Sequence, residues 1–355
     1  MLTIEALEQV AESSGAMLGV TDLAPFDDVK TDIESRKAAG QDGSLGFTYR
    51  DPELSTQPKQ SFPWAESIIV VAVPYLRPGD GIANSERSVA RFADEDRYAG
   101  VRSLLGSLAS HVVGAGFRAE PVFDDDRLVD RAVAVRAGVA WSGKSTMALT
   151  PRFGPWFLIG SVVTDADLTP TREMRRGCGS CTACIPACPT GAIVAPGVLD
   201  ARLCLAAIFQ SRGDIPRDLR SAAAGRVYGC DACLVACPPG LQELSVLPAS
   251  ESVDPRAVLA SSDQELEGLS QHWYVPGRAM RFVRRNALVA LGNTGTHSDV
   301  PLLAGFAGHP DPMIRTHAIW ALGAIGGRQA DAALALCRSL ETDIDVISEL
   351  DLVQR

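Results

Sequence analysis

Lysine is nearly missing from this chain: Lys30, Lys37, Lys59 and Lys144 are the only four in 355 residues, and arginine supplies the rest of the positive charge. The formal net charge is still −10. A chain with that balance has no global attraction for nucleic acid, so any such contact must come from a local basic face. Apolar residues make up 46% of the sequence, but no stretch reaches the uninterrupted apolar length of a membrane span. A basic leader is missing too. The opening M-L-T-I-E-A-L-E has acids where a signal peptide carries basic residues, so a cytoplasmic place and no membrane association are expected. The length allows two or three domains with cores of their own.

What the chain does have is cysteine, nine in all. Eight fall between Cys178 and Cys237, a crowding that points to metal chemistry in a reducing compartment rather than to disulfides. Cys178 to Pro189 reads C-G-S-C-T-A-C-I-P-A-C-P, the C-x2-C-x2-C-x3-C-P spacing in which three thiolates hold one [4Fe–4S] cluster and the fourth crosses to a second. The second run, Cys230, Cys233 and Cys237, is one ligand short, and Cys204 between the runs makes up the deficit. Two four-thiolate clusters need eight cysteines. The crossed arrangement groups Cys178, Cys181 and Cys184 with Cys237, and Cys188 and Cys204 with Cys230 and Cys233. A pair of structural zinc sites is the plainer alternative, since thiolate suits both metals. Zinc modules set two C-x2-C pairs apart, however, and rarely use a triple run closed by C-P. The ninth cysteine, Cys337, lies in an apolar helical stretch and reads as a small hydrophobe.

Along the chain, Ile4, Leu7, Val10 and Ala11 share a helical face, with Gly15 as a stop. The polar segment 27–63 reads as irregular. Ser67 to Tyr75 is a continuous β-branched run, hence a strand buried on both faces. A helix carrying Val101, Leu104, Leu105, Leu108 and Val112 follows. Next come a short strand at 121–123, the acids Asp124, Asp125 and Asp126, a helix over 128–137 and a strand over 156–164. Strands alternating with helices predict an α/β domain. From Arg278 onward the chain is helical, and Val283–Gly292 aligns with Ile314–Gly323, both closing on A-x-x-A-L-G. That is the mark of a HEAT-type repeat. Three domains are expected: 1–168, 169–250 and 251–355.

Gly138 to Ser145 satisfies G-x-x-x-x-G-K-[ST]. A phosphate-binding loop needs a strand before the glycine and a helix at the lysine. Here a helix precedes and a strand follows, so a nucleotide site is not expected.

Taken together, these motifs resemble the tRNA epoxyqueuosine reductases, cobalamin-dependent iron–sulfur enzymes that complete synthesis of the wobble base queuosine. The resemblance covers nearly the whole chain. It is sharpest at Phe123 to Thr146, against V-D-S-x-P-x-x-E-R…A-G-x-G-W-x-G-K-[NS]-T, in the cysteine runs with Cys204, and at A-C-P-T-G-A-I from Ala187 to Ile193. It implies an α/β corrinoid-binding domain, a two-cluster ferredoxin-like domain and HEAT-like helical repeats. It further implies that Asp124 protonates the substrate as the epoxide oxygen is removed, that Arg131 is the arginine of the E-R pair, with Asp130 for the glutamate, and that Trp141, Gly143, Lys144, Ser145 and Thr146 border the corrin. The chemistry agrees, since low-valent cobalt is strongly reducing and a buried carboxylic acid can donate a proton. The plain alternative for the three acids is a solvated turn capping the next helix. The chain departs from the family at 97–99, 125–127, 205–211 and 238–240, mostly on the expected substrate side.

Arg278, Arg281 and Arg285 recur at helical spacing beside His272, Trp273 and Tyr274, which fits a face that grips phosphate and stacks on an unpaired base; a solvated face bridging to acids is the alternative. On the resemblance, that face receives the tRNA anticodon stem-loop. The expected function is reduction of epoxyqueuosine in tRNA by a monomer fed by an external electron donor. The alternatives are the same chemistry on another substrate, or a ferredoxin-like carrier that docks a partner through its repeats.

Overall fold

Every residue of the apolar run at 67–73 is buried, and this run forms the strand on which the first half of the molecule is built. The computed structural model describes residues 2–43, 45–82, 87–249 and 252–353, apart from the Thr48 side chain. The strands of the first half are β1 (Met17–Thr21), β2 (Ser67–Pro74), β3 (Ala119–Val122), β4 (Trp141–Ser142), β5 (Ala148–Leu149) and β6 (Phe157–Thr164). β1, β2, β6 and β3 make one sheet in that order, and β4 and β5 form a separate hairpin.

Alternation along β2 sends its side chains to two cores. Ile68, Val70 and Ala72 pack with Leu128, Val133 and Ala134. Ile69, Val71 and Val73 pack with Leu7, Ala11 and the buried row Val101, Leu104, Leu105, Leu108 and Val112. That row lies on the helix Tyr98–Gly114. Helices therefore cover both faces, as the apolar run requires. The pairings, however, are antiparallel throughout, not the parallel order that alternating strands and helices usually produce. A second correction concerns 27–63, which holds a helix at Asp27–Ala38 and shorter ones at Pro52–Thr56 and Pro58–Ser61. The long helix buries only Ile33, so it carries no apolar stripe to read.

The described chain packs as two compact units. The first comprises Met1–Ile82, Glu95–Arg202 and Asp231–Ala249; the second comprises Ala83–Asp94, Leu203–Cys230 and Ser250–Arg355. The segment expected as one ferredoxin-like domain is thus shared between them. Within the first unit, the returning stretch is tied in by main-chain bonds from Gly79 and Gly81 to the Pro248 carbonyl (3.0 and 2.9 Å) and by the Trp156 indole N–H to the Gly240 carbonyl (2.8 Å). The second unit contains the paired helices Arg281–Thr294 and Pro312–Ile325. Asp311 caps the latter by accepting the Met313 N–H, as the Asp-Pro start predicts. Among the described residues, no helix is long and apolar enough to cross a membrane.

Candidate active site

β3 ends at Val122, and two residues later Asp124 takes a left-handed backbone with φ +53°. A non-glycine residue seldom adopts that region, aspartate more readily than most. Asp125 is committed elsewhere: Arg127 grips it with two bonds of 2.9 and 2.7 Å, and Arg127 also reaches Glu120 at 2.8 Å. The Arg127 hydrogen bond holds the Asp125 carboxyl below its ordinary range. Asp126 accepts the Ser55 hydroxyl through its main-chain carbonyl, at 2.5 Å. Asp124 is exposed as a residue, yet partial desolvation of its carboxyl, then the charge of Asp125, raises it above the ordinary value. The next helix, Asp130–Arg136, starts at Val129 with no side-chain cap, so the acids are not a capping turn.

Two residues at that helix start complete the acidic side. The Asp130 carboxyl is pushed up to about 8, first by burial and then by Asp124; its Oδ1 is sealed from solvent with no hydrogen-bond partner. Arg131 donates to the Thr146 carbonyl at 3.1 Å and reaches Met147 Sδ at 3.8 Å. Arg131 thereby joins the helix that follows the Asp124 loop to the β4–β5 hairpin.

The hairpin loop is tightly wound. The Gly143 N–H bonds to the Met147 carbonyl at 2.8 Å, the Thr146 N–H returns to the Gly143 carbonyl at 3.0 Å, and Thr146 has φ +68°. A Cβ on Gly143 would stand 2.8 Å from the Met147 carbonyl oxygen. Ser145 is buried, its hydroxyl facing the Met147 N–H at 3.4 Å. Lys144 connects the loop to the cysteines. Its N–H points at Cys178 Sγ (3.5 Å) and its ammonium donates to the Gly179 carbonyl (2.7 Å). That lysine is occupied and a strand follows, so the phosphate-loop pattern has no phosphate-loop geometry. Trp141 is buried, with its Nε1 sealed and without a hydrogen-bond partner.

Cys178, Cys181, Cys184 and Cys237 all lie in the first unit. Burial, then the nearby thiols of Cys178 and Cys181, raises the Cys184 thiol, with Lys144 opposing. Cys237 is raised by burial and by the other three. Burial likewise works against the Cys188 thiolate, but bonds from Thr190, Ala192 and Ile193 outweigh it and leave the thiol lowered. Such N–H groups aimed at sulfur are what tune iron–sulfur clusters. Cys188 and Cys233 belong to the first unit, Cys204 and Cys230 to the second.

Comparison with known proteins agrees with this geometry. Residues 177–240 match a 4Fe-4S double cluster binding domain, and residues 281–349 match HEAT repeats. Epoxyqueuosine reductase of Bacillus cereus is 30% identical over 94% of this chain and 92% of its own. The Bacillus subtilis enzyme is 31% identical over 98% and 94%. The chain belongs to the epoxyqueuosine reductase family. Among solved structures, an epoxyqueuosine reductase with an epoxyqueuosine-modified tRNA-Tyr stem loop has a TM-score of 0.88 at 29% identity, covering 99% of this chain and 98% of that one. A Bacillus subtilis epoxyqueuosine reductase whose catalytic aspartate loop is swung out of its active site has a TM-score of 0.87 at 30% identity, covering 98% and 97%. As a member of this family the chain is an oxidoreductase with a double [4Fe–4S] cluster domain.

For this epoxyqueuosine reductase relative, the arginine face expected in the second unit needs correction. Arg285 is fully buried and donates to the main-chain carbonyls of Ser211, Ile208 and Phe209 at 3.0–3.2 Å, and also to that of Gly213. It is structural and cannot touch RNA. Arg278 precedes the helix, with φ +53°, and its guanidinium is spent on the carbonyls of Ser270, Trp273 and Glu267. Arg281, the first helical residue, is exposed and pairs with Asp311 at 3.2 Å. Trp273 is buried, stacked on Tyr228 with centroids 4.5 Å apart, whereas Tyr274 is exposed. The even arginine spacing did not reveal that the helix begins only at Arg281.

Proposed function

We propose that this protein reduces epoxyqueuosine to queuosine at the tRNA wobble position, using cobalamin and two [4Fe–4S] clusters, with Asp124 as the proton donor. One observation carries the reading: Arg131 ties the Asp124 side of the site to the hairpin loop, and Lys144 of that loop meets the first cysteine of the cluster run. Trp141, Gly143, Lys144, Ser145 and Thr146 hold the corrinoid. The tight turn at Gly143, where a Cβ would meet the Met147 carbonyl and Leu149, keeps this loop close to its own hairpin, and the buried Trp141 indole N–H has no protein partner. Cobalamin, when bound, supplies a low-valent metal centre strong enough to attack an epoxide. Asp124, exposed as a residue but with its carboxyl raised by desolvation and by Asp125, gives the departing oxygen its proton. Arg131 orients the substrate. Cys178, Cys181, Cys184 and Cys237 hold one cluster, and Cys188, Cys204, Cys230 and Cys233 the other. Electrons come from an external donor, and Arg281 with Tyr274 contributes to anticodon stem-loop binding.

A second reading, the same chemistry on another substrate, is favoured by Asp125-Asp126-Arg127, which stand where the family has S-x-P and in which Arg127 is tied to Asp125 and to Glu120. The test is anaerobic purification, titration with cobalamin, and assay of queuosine formed from an epoxyqueuosine-containing stem-loop. Corrinoid binding with queuosine formation is expected. Clusters without corrinoid affinity would leave only the electron-carrier alternative; corrinoid binding without queuosine would leave the second reading.

A further inference from the structure

Among the described residues the Asp124 carboxyl accepts no hydrogen bond, so its place is set by its backbone. That backbone is left-handed, with φ +53°, a conformation that a non-glycine residue keeps only where its surroundings impose it. Arg127 supplies the imposing contacts. Its guanidinium closes on Asp125 through Nε to Oδ1 at 2.9 Å and Nη2 to Oδ2 at 2.7 Å, and its own N–H returns to Asp125 Oδ1 at 2.9 Å. Its Nη1 reaches Glu120 Oε1 at 2.8 Å. Glu120 lies on β3, in register with Val163 of β6, and the fully buried Phe62 ring lies 4.7 Å from the guanidinium carbon. One end of this clamp is therefore fixed to the sheet and the other to the residue beside Asp124. A planar fork that bonds two carboxylates at once fixes orientation as well as distance. On the far side, the Ser55 hydroxyl donates to the Asp126 carbonyl at 2.5 Å. The clamp's side chains are 27–33% exposed, so the ion pairs contribute little to global stability. What they fix is the local path of the chain.

Resting on the assignment of Asp124 as proton donor, we propose that Arg127 is its positioning residue: by bridging Glu120 of the strand to Asp125, it closes the 120–127 loop and holds the Asp124 carboxyl where the substrate meets it. Arg127 acts through Asp124 and touches neither substrate nor corrinoid.

Amide hydrogen exchange of the full-length, cluster-loaded protein, without substrate, reads the loop directly. The peptide spanning residues 120–130 should exchange about 10-fold faster in Arg127→Met than in wild type, with β2 and β6 unchanged. Asp124→Asn should leave that peptide at the wild-type rate. In turnover with cobalamin added, Arg127→Met should lower kcat about 10-fold at unchanged KM. Arg127→Lys should fall in between, because an ammonium lacks the fork that grips both carboxylates. On an Asp124→Asn background, Arg127→Met should cost nothing further, since no acid is left to position; a merely structural loss would add to the first. Wild-type exchange and kcat in Arg127→Met, or full additivity with Asp124→Asn, overturn the inference. If Arg127→Met does not fold, Glu120→Gln, which weakens only the sheet end of the clamp, decides by the same readings. Exchange may respond to Arg127 in a protein that forms no queuosine, or whose Asp124→Asn variant turns over normally. Either result overturns the reaction assigned above and the positioning role with it, while leaving the clamp as a support of the loop.

Discussion

Replacing Arg285 with methionine separates a structural arginine from an RNA-binding one. The guanidinium is fully buried, bonds four main-chain carbonyls and meets Asn286 Oδ1 at 2.8 Å. Methionine fills much of the stem volume but supplies no donor. Phe209 keeps a bond from Asn286 Nδ2, and Ile208 keeps one from the Ser211 N–H. Asn286 Oδ1, on a fully buried residue, loses both its donors at roughly 1–3 kcal/mol, and the carbonyls of half-buried Ser211 and exposed Gly213 lose their side-chain donor at a smaller cost because water can meet part of it. Relief of the buried charge offsets part of this, since desolvation has brought Arg285 down to about 10. Exchanging a buried ion pair for apolar residues can be neutral when both partners change; here the acceptors are backbone and cannot. The balance is a loss of about 2–4 kcal/mol, a large share of a domain's stability. Arg281→Ala, losing one exposed pair with Asp311, should cost under about 1 kcal/mol. Urea unfolding of the anaerobic full-length protein, followed by helical circular dichroism, is the assay. An Arg285→Met protein that unfolds at the wild-type midpoint yet binds the stem-loop more weakly would refute the reasoning.

Asp124→Asn should lower queuosine formation by about 10²–10⁴-fold while clusters and corrinoid stay bound; unchanged turnover in a cobalamin-saturated assay removes Asp124 from the mechanism. Gly143→Ala places a methyl against the Met147 carbonyl and Leu149, so a weaker cobalamin titration is expected with the cluster absorbance intact, and wild-type affinity would count against this loop as the corrin border. Stability should also follow pH through Asp130. Its folded carboxyl is raised to about 8, so its stabilising contribution is complete below the ordinary carboxylate range near pH 4 and is lost as pH rises towards 8, at up to roughly 1.4 kcal/mol per pH unit. Asp130→Asn should therefore gain on wild type between pH 5 and pH 8 in urea midpoint, and a constant gap would contradict the burial argument.

Much of this was legible from residue patterns. The β2 run announced a strand buried on both faces because it is apolar without alternation, and the A-x-x-A-L-G echo announced stacked helices. Strand direction was not legible, because the order of strands and helices along a chain does not report which edges pair. The helix at Asp27–Ala38 escaped a reading by apolar period because it buries one residue; Asp27 and Asp28 in its first turn, with Arg36 and Lys37 in its last, were the usable signal. In the site, spacing marked the cysteines, whereas the resemblance marked Asp124. The resemblance placed Asp130 at the glutamate of the E-R pair but not its environment, since a carboxyl's sealed oxygen is a product of packing. Arg285 was misplaced for the converse reason: an arginine at helical period reads as surface until the surrounding carbonyls are known.

The return of residues 231–249 to the first unit bears on how the protein is made. On the ribosome, the sheet strands and the triple cysteine run emerge well before Gly240 and Pro248, which satisfy the Trp156 indole and close on Gly79 and Gly81. The N-terminal half therefore waits, with polar groups unmet, until a stretch translated after an excursion into the other unit has arrived. A chain halted near residue 202 would be an open vessel rather than a smaller enzyme.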